Sequence, residues 1–373
     1  MIDTLFLYIL ILILNVLLTL LVPSKIFKKT QNVSLPLYIL TLTLPVLLFT
    51  CFWGLRFNVG ADYSSYVYIF YHLPERFEVG FKILVSFLRT CNFSHVSLFI
   101  VLSLLTIITI YYLGRNTNKL YTSLLVYYFY TTSLIFFSLN GMRQMVAMCF
   151  IFVLVKLMSD DSKVNIIKLS VIPILAYTFH KTSIIPLAIL LPLYLLKPIK
   201  INKYVLILIL LVVIVSGTSI FQYINFDFSF LLETEYSNYL SRVETTEEVT
   251  YSSGLGAILD FLLCTFIIYN QEIFYKNKNK SAYYFYIFFL LGIILSKVFI
   301  AIPLSQRLFI YFSSTKFIIL SLITYHFYQK RNMLIVAGIV IFLLLLYINS
   351  ILNNNSNVVP YQSIPFIFAG ISL

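Results

Sequence analysis

Charged residues are scarce in this chain. Its 373 residues include 14 Asp and Glu and 26 Lys and Arg, so that only 11% are charged while 60% are hydrophobic. A soluble domain of ordinary composition has about 25% charged residues. The mean hydropathy is +0.94. This shortage of charge excludes a soluble globular domain, and the recurring long apolar runs predict membrane-spanning helices.

Cysteine is also scarce, and metal-binding patterns are missing. The four cysteines are scattered singly in or near apolar runs: Cys51, Cys91, Cys149 and Cys264. This spacing excludes a disulfide-rich secreted scaffold and is typical of small core residues. The sequence has no Asp-x-Asp pair, and Glu233 and Glu235 are better explained by a solvated acidic face than by a cation site. We therefore expect no metal and no other cofactor.

The apolar runs predict an all-α, polytopic integral membrane protein with about twelve passes, forming one transmembrane domain over residues 1–373. The first run is followed rather than preceded by lysines, which predicts a retained span instead of a cleaved signal. The twelve runs cover residues 4–22, 35–53, 95–113, 121–138, 142–158, 166–179, 183–196, 204–220, 256–271, 281–300, 307–327 and 332–350.

The basic residues predict the topology. When the connections alternate sides, fourteen lysines and two arginines gather on one side, which the positive-inside rule makes cytoplasmic. Both termini are then outside, together with the loops 54–94 and 221–255; the first contains an interfacial helix near residues 81–93 and the second is acidic. Because the net charge of +12 is distributed between apolar runs, it does not predict nucleic-acid binding.

Two of the runs are too short for ordinary spans. Residues 166–179 and 183–196 give 14 residues each, or about 21 Å of helix against a hydrocarbon core of about 30 Å. Pro173, Pro186 and Pro192 interrupt them. They form either two short tilted spans or one re-entrant hairpin. In both cases the tip "TFHKTS" (178–183) lies toward the outer leaflet.

Arginine is enriched on the side that the charge bias disfavours. The ten remaining basic residues comprise six arginines and four lysines. Arginine suits bidentate recognition of phosphate, whereas lysine suffices to fix topology. Each arginine alone is explained by snorkelling or by pairing with a carboxylate, but the group is better explained by an anionic ligand. Arg56, Arg143 and Arg307 are the candidates that would bind it, with Lys181 beside them.

The stretch "RFNVGADYSSY" (56–66) combines a charge pair with a tyrosine stripe. Gly60 permits a sharp turn into a helix, and Asp62 is placed either to cap that helix or to serve a functional site. Tyr63 and Tyr66 recur at helical spacing and suit a membrane interface or the stacking of sugar rings. His180 lies at a helix break, where a structural and a catalytic role are both open.

In five features the chain resembles the EpsG/Wzy-type bacterial polysaccharide polymerases, which make O-antigen, capsule and exopolysaccharide. The features are "RFNVGADYSSY" (56–66), "FEVGF" (77–81), "NGMRQMVA" (140–147), "FHKTSIIPL" (179–187), and "QRLFIYF" (306–312) with a late "PY" at 360–361. The family commonly has Gly-Thr-Asp-Tyr where this chain has Ala61 before Asp62, so any role of that threonine hydroxyl is absent.

The resemblance implies a polytopic glycosyltransferase of the C-type plan in the bacterial inner membrane, with its active site facing outward. It implies transfer of a glycan from undecaprenyl diphosphate to an incoming lipid-diphosphate-linked repeat unit. The partners are then this lipid-linked oligosaccharide, membrane lipid and a chain-length-regulating protein. The candidate residues are the bases His180, Asp62 and Glu78 and the substrate ligands Arg56, Arg143, Arg307, Lys181, Tyr63, Tyr66 and Gln144.

Three other functions fit parts of this pattern. A flippase or exporter of lipid-linked sugars also needs outer arginines, but it should show an inverted repeat and a continuous charged path. An O-antigen ligase shares the donor and uses a different acceptor. A membrane acyltransferase would use His180 and a thioester donor. Assay of purified lipid-linked repeats separates these alternatives.

Overall fold

The computed structural model describes residues 1–22, 35–115, 117–159, 166–195, 199–223, 255–276, 280–299, 305–354 and 356–368. These residues are helical, apart from turns, a 3₁₀ turn and one isolated antiparallel bridge between Arg56 and Ser363. The helices are α1 (Ile2–Leu21), α2 (Leu35–Gly54), α3 (Tyr63–His72), α4 (Val79–Thr90), α5 (His95–Leu113), α6 (Lys119–Thr131), α7 (Leu134–Asn140), α8 (Met142–Ser159), α9 (Ile166–Phe179), α10 (Ile184–Leu195), α11 (Lys203–Tyr223), α12 (Leu255–Tyr269), α13 (Glu272–Tyr275), α14 (Lys280–Val298), α15 (Ser305–Ser313), α16 (Lys316–Gln329), α17 (Met333–Leu352) and α18 (Ile364–Phe368). The all-α prediction is confirmed for the described residues.

Among the described helices, six are long and apolar enough to cross a bilayer. They are Ile2–Leu21, His95–Leu113, Met142–Ser159, Lys280–Val298, Arg307–Gln329 and Met333–Leu352. The pair α6 and α7, bent by 63° at its break, makes a seventh if it counts as one span. Five further apolar helices are shorter, so the multi-pass prediction is confirmed, while the count of about twelve passes stays a prediction.

The chain divides into two compact units. Unit 1 contains Met1–Leu187 and Leu320–Leu373, and unit 2 contains Ala188–Ile319. The prediction of one transmembrane domain concerns the whole chain and stays a prediction. Most of the predicted acidic loop 221–255 lies outside the described residues.

The core of unit 1 contains aromatic rings with paired polar atoms. Trp53 Nε1 donates to Tyr130 Oη at 3.0 Å, and Asn15 Nδ2 donates to the same oxygen at 3.2 Å. The ring of Tyr8 stacks on Trp53 with centroids 5.4 Å apart. Because an unpaired polar atom in apolar surroundings is costly, these bonds fix how α1, α2 and α6 pack together.

Residues 356–364, which we call the C-terminal strap, form hydrogen bonds with α1 and with the end of α2. Tyr8 Oη donates to the carbonyl of Val358 at 2.5 Å, and Tyr361 N–H donates to Thr4 Oγ1 at 3.1 Å. The hydroxyl of Tyr361 donates to the carbonyl of Phe52 at 2.5 Å. The late Pro-Tyr pair of the sequence therefore belongs to the packed interior.

The helix predicted near residues 81–93 is present as α4, and its interfacial position stays a prediction. Phe81 and Val85 are buried, and Leu84 is partly buried. Ile83 and Phe87 on the opposite face are exposed. The buried stripe follows the contacts that α4 makes with α9 and α5.

Unit 2 pairs charged and polar groups within its apolar helices. Lys316 Nζ lies 2.6 Å from Asp260 Oδ1, so these two charges neutralise each other among apolar helices. Gln271 Nε2 donates to the carbonyl of Ile201 at 2.9 Å, and Tyr286 Oη donates to Gln271 Oε1 at 3.1 Å. Side-chain contacts therefore connect α12 with α16, and they connect the turn after α12 with α14 and with the residues before α11.

Candidate functional site

Several connections meet at one end of unit 1. The loop between α2 and α3, the start of α4, the junction of α7 and α8, and the tip after α9 are joined by hydrogen bonds. The charge pattern of the sequence assigns these segments to one side of the membrane. Most of the candidate site residues lie here, and the side of the membrane that they face stays a prediction.

Arg56 is buried, and its hydrogen bonds connect α2, the loop after α2 and α7 at this end of unit 1. Its side chain is 1% exposed, and its guanidinium donates to three main-chain carbonyls. The carbonyls belong to Trp53 (2.7 Å), Val59 (3.1 Å) and Leu139 (3.2 Å). The guanidinium also lies 4.5 Å from the ring of Phe99. Burial lowers the pKa of this guanidinium to about 10, so it remains charged at neutral pH while it organises the loop.

Asn140 holds the main chain beside Asp62 and was missed by the sequence reasoning. Its Oδ1 accepts from Asp62 N–H at 3.2 Å, and its Nδ2 donates to the carbonyl of Ser356 at 3.3 Å. Gly60 has φ +99, and a Cβ there would lie 2.8 Å from Asn140 Oδ1. Asn140 opens the quoted stretch "NGMRQMVA", which was the one available signal.

Asp62 occupies the N-cap position of α3, as its capping interpretation predicts. Its side chain nevertheless makes no capping hydrogen bond. A capping carboxylate would accept from a main-chain N–H two or three residues further on. The partly buried carboxylate of Asp62 is therefore not used for that purpose, and its functional role stays a prediction.

Tyr63 and Tyr66 point into unit 1. Both are buried, and the ring of Tyr63 stacks on Phe99 with centroids 4.9 Å apart. The main-chain N–H of Arg143 points at Tyr66 Oη at 3.5 Å. Burial raises the pKa of both hydroxyls, so both stay protonated at neutral pH. Their rings pack against protein instead of presenting a face to a sugar.

Arg143 and Glu78 form an ion pair at the centre of this end. Nη1 of Arg143 bonds Oε2 of Glu78, and the two side chains are 23% and 11% exposed. The guanidinium lies over the rings of Phe77 and Phe81, at 4.6 and 5.6 Å. Its Nε is buried and has no hydrogen-bond partner in the described residues. The pair is thus reachable from outside, with one donor left over.

Glu78 also connects this pair to the tip after α9. Its Oε1 faces the main-chain N–H of Lys181 at 3.5 Å. His180 Nδ1 lies 2.6 Å from Thr182 Oγ1, which orients the imidazole. His180 is partly buried and Lys181 is exposed. We call Tyr66, Glu78, Arg143, His180 and Lys181 the Glu78 cluster.

A glycine permits the contact between α4 and the end of α9. A Cβ at Gly80 would lie 2.6 Å from Thr178 Oγ1, so only glycine allows the two backbones to come this close. The rings of Phe150 and Phe179 pack beside them with centroids 5.8 Å apart. This packing places Glu78, the residue before α4, next to the tip after α9.

The two remaining candidates differ in position. Gln144 is buried on α8, next to Arg143. Arg307 is exposed on α15 of unit 2, so its grouping with Arg56 and Arg143 stays a prediction. Within the described ranges no three His, Cys, Asp or Glu side chains are placed to hold a metal ion.

The fold and this site define a class: a multi-pass helical membrane protein with an arginine–carboxylate cluster at one end of its first unit. The model of the EpsG family matches residues 39–363, and the chain belongs to this family. The resemblance seen in the sequence motifs is thereby confirmed. No curated protein and no solved structure is significantly similar to the chain. Family membership indicates a glycosyltransferase-like role in polysaccharide polymerisation.

Proposed function

We propose that the protein is a polysaccharide polymerase of the bacterial inner membrane, with the Glu78 cluster as its active site on the outer face. It transfers a growing glycan from undecaprenyl diphosphate to the non-reducing end of an incoming lipid-diphosphate-linked repeat unit. The observation that carries the proposal is the Arg143–Glu78 pair beside His180 and Lys181. It combines a cation for phosphate with a carboxylate for a hydroxyl proton.

The leaving diphosphate requires positive charge rather than a proton. Arg143 supplies a partly exposed guanidinium, and two of its N–H donors can bind one phosphate in a bidentate manner once Glu78 has turned away. Lys181 is exposed beside it and adds a second positive charge. Fixed donors of this kind stabilise charge that develops as the bond to the diphosphate breaks.

Binding of the diphosphate would release Glu78. The carboxylate and a phosphate compete for the same guanidinium, so Glu78 turns away from Arg143 when the donor is bound. It then accepts the proton of the attacking sugar hydroxyl, while the hydroxyl oxygen bonds the anomeric carbon and the diphosphate departs. His180 and Asp62 remain the other two candidates for this base. A single displacement of this kind inverts the anomeric configuration.

The other predicted ligands have roles around this centre. Arg56 positions the loop that bears Asp62, because its donors are directed to main-chain carbonyls. Tyr66 and the buried Gln144 support the start of α8. Arg307, a ligand predicted from the sequence, stays a proposed cation for the diphosphate.

Polymerisation by the purified protein tests this function. The protein is incubated with synthetic lipid-diphosphate repeat units, and the masses of the products are measured by mass spectrometry. Arg143→Ala, Glu78→Gln and His180→Ala should leave single repeats unextended. Arg89→Ala is the matched control, since Arg89 is exposed on α4 away from the ion pair.

Other products identify the alternatives. An exporter would move lipid-linked units across a vesicle without changing their mass, and a ligase would join them only to a different acceptor. A ladder of wild-type length from Arg143→Ala would contradict the assignment of the active site.

A further inference from the structure

An open groove of about 380 Å³ runs along α3 and the loop that follows it. It is lined by Ser64, Ser65, Tyr68, Ile69 and Arg76. None of these residues was assigned a role from the sequence. The groove lies on the side of α3 opposite to the buried rings of Tyr63 and Tyr66, so it is accessible in the folded unit.

The groove combines a flat ring with hydrogen-bonding groups. Tyr68 is 57% exposed, and its ring stacks on that of His72 with centroids 4.1 Å apart and an interplanar angle of 17°. His72 Nδ1 lies 3.0 Å from the carbonyl of Tyr68, which keeps the stack in place. Two serine hydroxyls and the exposed guanidinium of Arg76 border this platform. Sugars present the complementary pattern, a C–H face surrounded by hydroxyl groups.

The groove adjoins the Glu78 cluster. The guanidinium of Arg76 lies 5.4 Å from the ring of Phe77, and that of Arg143 lies 4.6 Å from the same ring. Glu78 is the next residue along the chain. A glycan whose diphosphate is bound at Arg143 therefore has the groove directly beside it. The polar lining favours a saccharide over an acyl chain as the occupant.

We infer that this groove is a saccharide-binding subsite, which holds a sugar ring of the lipid-linked substrate on the face of Tyr68 that does not stack on His72. The inference rests on the proposed function. Serine hydroxyls bond the sugar hydroxyls, and Arg76 binds a ring oxygen, a hydroxyl or an acidic substituent of the sugar.

The test measures saccharide binding separately from transfer. The probe is a set of lipid-free and phosphate-free oligosaccharides, released by partial hydrolysis of the polysaccharide that the producing cells make. Saturation-transfer NMR and titration with the full-length protein in detergent give the affinity. Tyr68→Leu should weaken binding about tenfold, as expected for the loss of about 1.4 kcal/mol of ring contact. Tyr68→Phe should bind like the wild type.

Tyr71 provides the matched control for this experiment. It is also exposed on α3 but does not line the groove, so Tyr71→Leu should leave saccharide binding unchanged. Equal affinity of Tyr68→Leu and the wild type, or no binding by the wild type, would overturn the inference. If Tyr68 serves only to anchor the protein at the lipid interface, Tyr68→Leu and the wild type should bind the saccharide with equal affinity.

Failure of the inference differs from failure of the proposed function. Arg143→Ala should retain saccharide binding and lose polymerisation, because the probe has no phosphate. A Tyr68→Leu variant that binds and elongates normally removes the subsite and leaves the polymerase in place. An Arg143→Ala variant that elongates normally refutes the active site, whatever the groove binds.

Discussion

The substitutions Arg56→Lys and Arg143→Lys both replace a guanidinium by an ammonium group, but the two side chains differ in burial and in their partners. The three nitrogens of the Arg56 guanidinium each donate to one carbonyl, and these carbonyls belong to Trp53, Val59 and Leu139. One ammonium group cannot reach all three, so about two carbonyls lose their donor, at about 1–3 kcal/mol each. We therefore expect Arg56→Lys to lower the free energy of unfolding by about 2–6 kcal/mol. That is a large fraction of the stability of a typical domain.

At Arg143 the same substitution should affect chemistry more than stability. Its partner Glu78 and its ring contacts leave it 23% exposed, and a lysine keeps the charge of the pair. We expect the free energy of unfolding to change by about 1 kcal/mol or less. Transfer should fall roughly ten- to hundredfold, because an ammonium group cannot bind a phosphate in a bidentate manner.

Both variants are measured by thermal unfolding in detergent and by polymerisation of synthetic repeats, with Arg89→Lys as the control. The expected pattern is a lower unfolding temperature for Arg56→Lys and slower transfer for Arg143→Lys. If Arg56→Lys unfolds like the wild type and transfers slowly, then Arg56 contacts the substrate and the structural interpretation is wrong. Equal stability loss in both variants would also refute it.

Three further predictions concern packing around the site and in unit 2. Gly60→Ala should destabilise by about 1–3 kcal/mol, because φ is +99 and the new Cβ would meet Asn140 Oδ1 at 2.8 Å; an unchanged unfolding temperature would contradict this. Asp62→Ala should not show the loss of about 1 kcal/mol that removal of an N-cap causes, because the carboxylate makes no capping bond. A fall of several degrees would instead reveal a structural role. Lys316→Met should destabilise by about 1–3 kcal/mol by removing the bonded partner of the partly exposed Asp260, and adding Asp260→Leu should restore most of the loss. No recovery in the double variant would show that the pair is not the cause.

Hydropathy was sufficient to predict most of the helices. Inside a bilayer the backbone must satisfy its own hydrogen bonds, so a long apolar run has essentially one available structure. The predicted run 121–138 shows the limit of this reasoning. Its apolar pattern is continuous, but Ser133 adopts φ +59 and the run folds as two helices bent by 63°. Nothing in the hydropathy of that run signals the bend.

The residue types of the candidate site were predictable, but their geometry was not. The arginine pattern, the helix break and the resemblance together selected Arg143, Lys181, His180 and Glu78, and the structure brings their segments together. The sequence could not show that Arg56 donates to main-chain carbonyls, because one acceptor is the carbonyl of Leu139, 83 residues further along the chain. Partners so distant in sequence follow from tertiary packing and leave no local pattern.

The tyrosine stripe illustrates the same limit on one helix. Helical spacing correctly predicted α3, with Tyr63 and Tyr66 on a shared face. Periodicity does not tell whether such a face turns toward a ligand or toward the core. Here the shared face packs on α5, and the exposed tyrosine rings of this helix are those of Tyr68 and Tyr71.

The strap of residues 356–364 has a consequence for biosynthesis. Its carbonyls at Ser356 and Asn357 accept from the main chain of Ala61 and Gly60, next to Asp62. A ribosome makes the two halves of this contact about three hundred residues apart. The nascent protein can therefore hold the Asp62 loop in place only after its last helices have been made, so a prematurely terminated chain would lack the main-chain bonds that fix this loop.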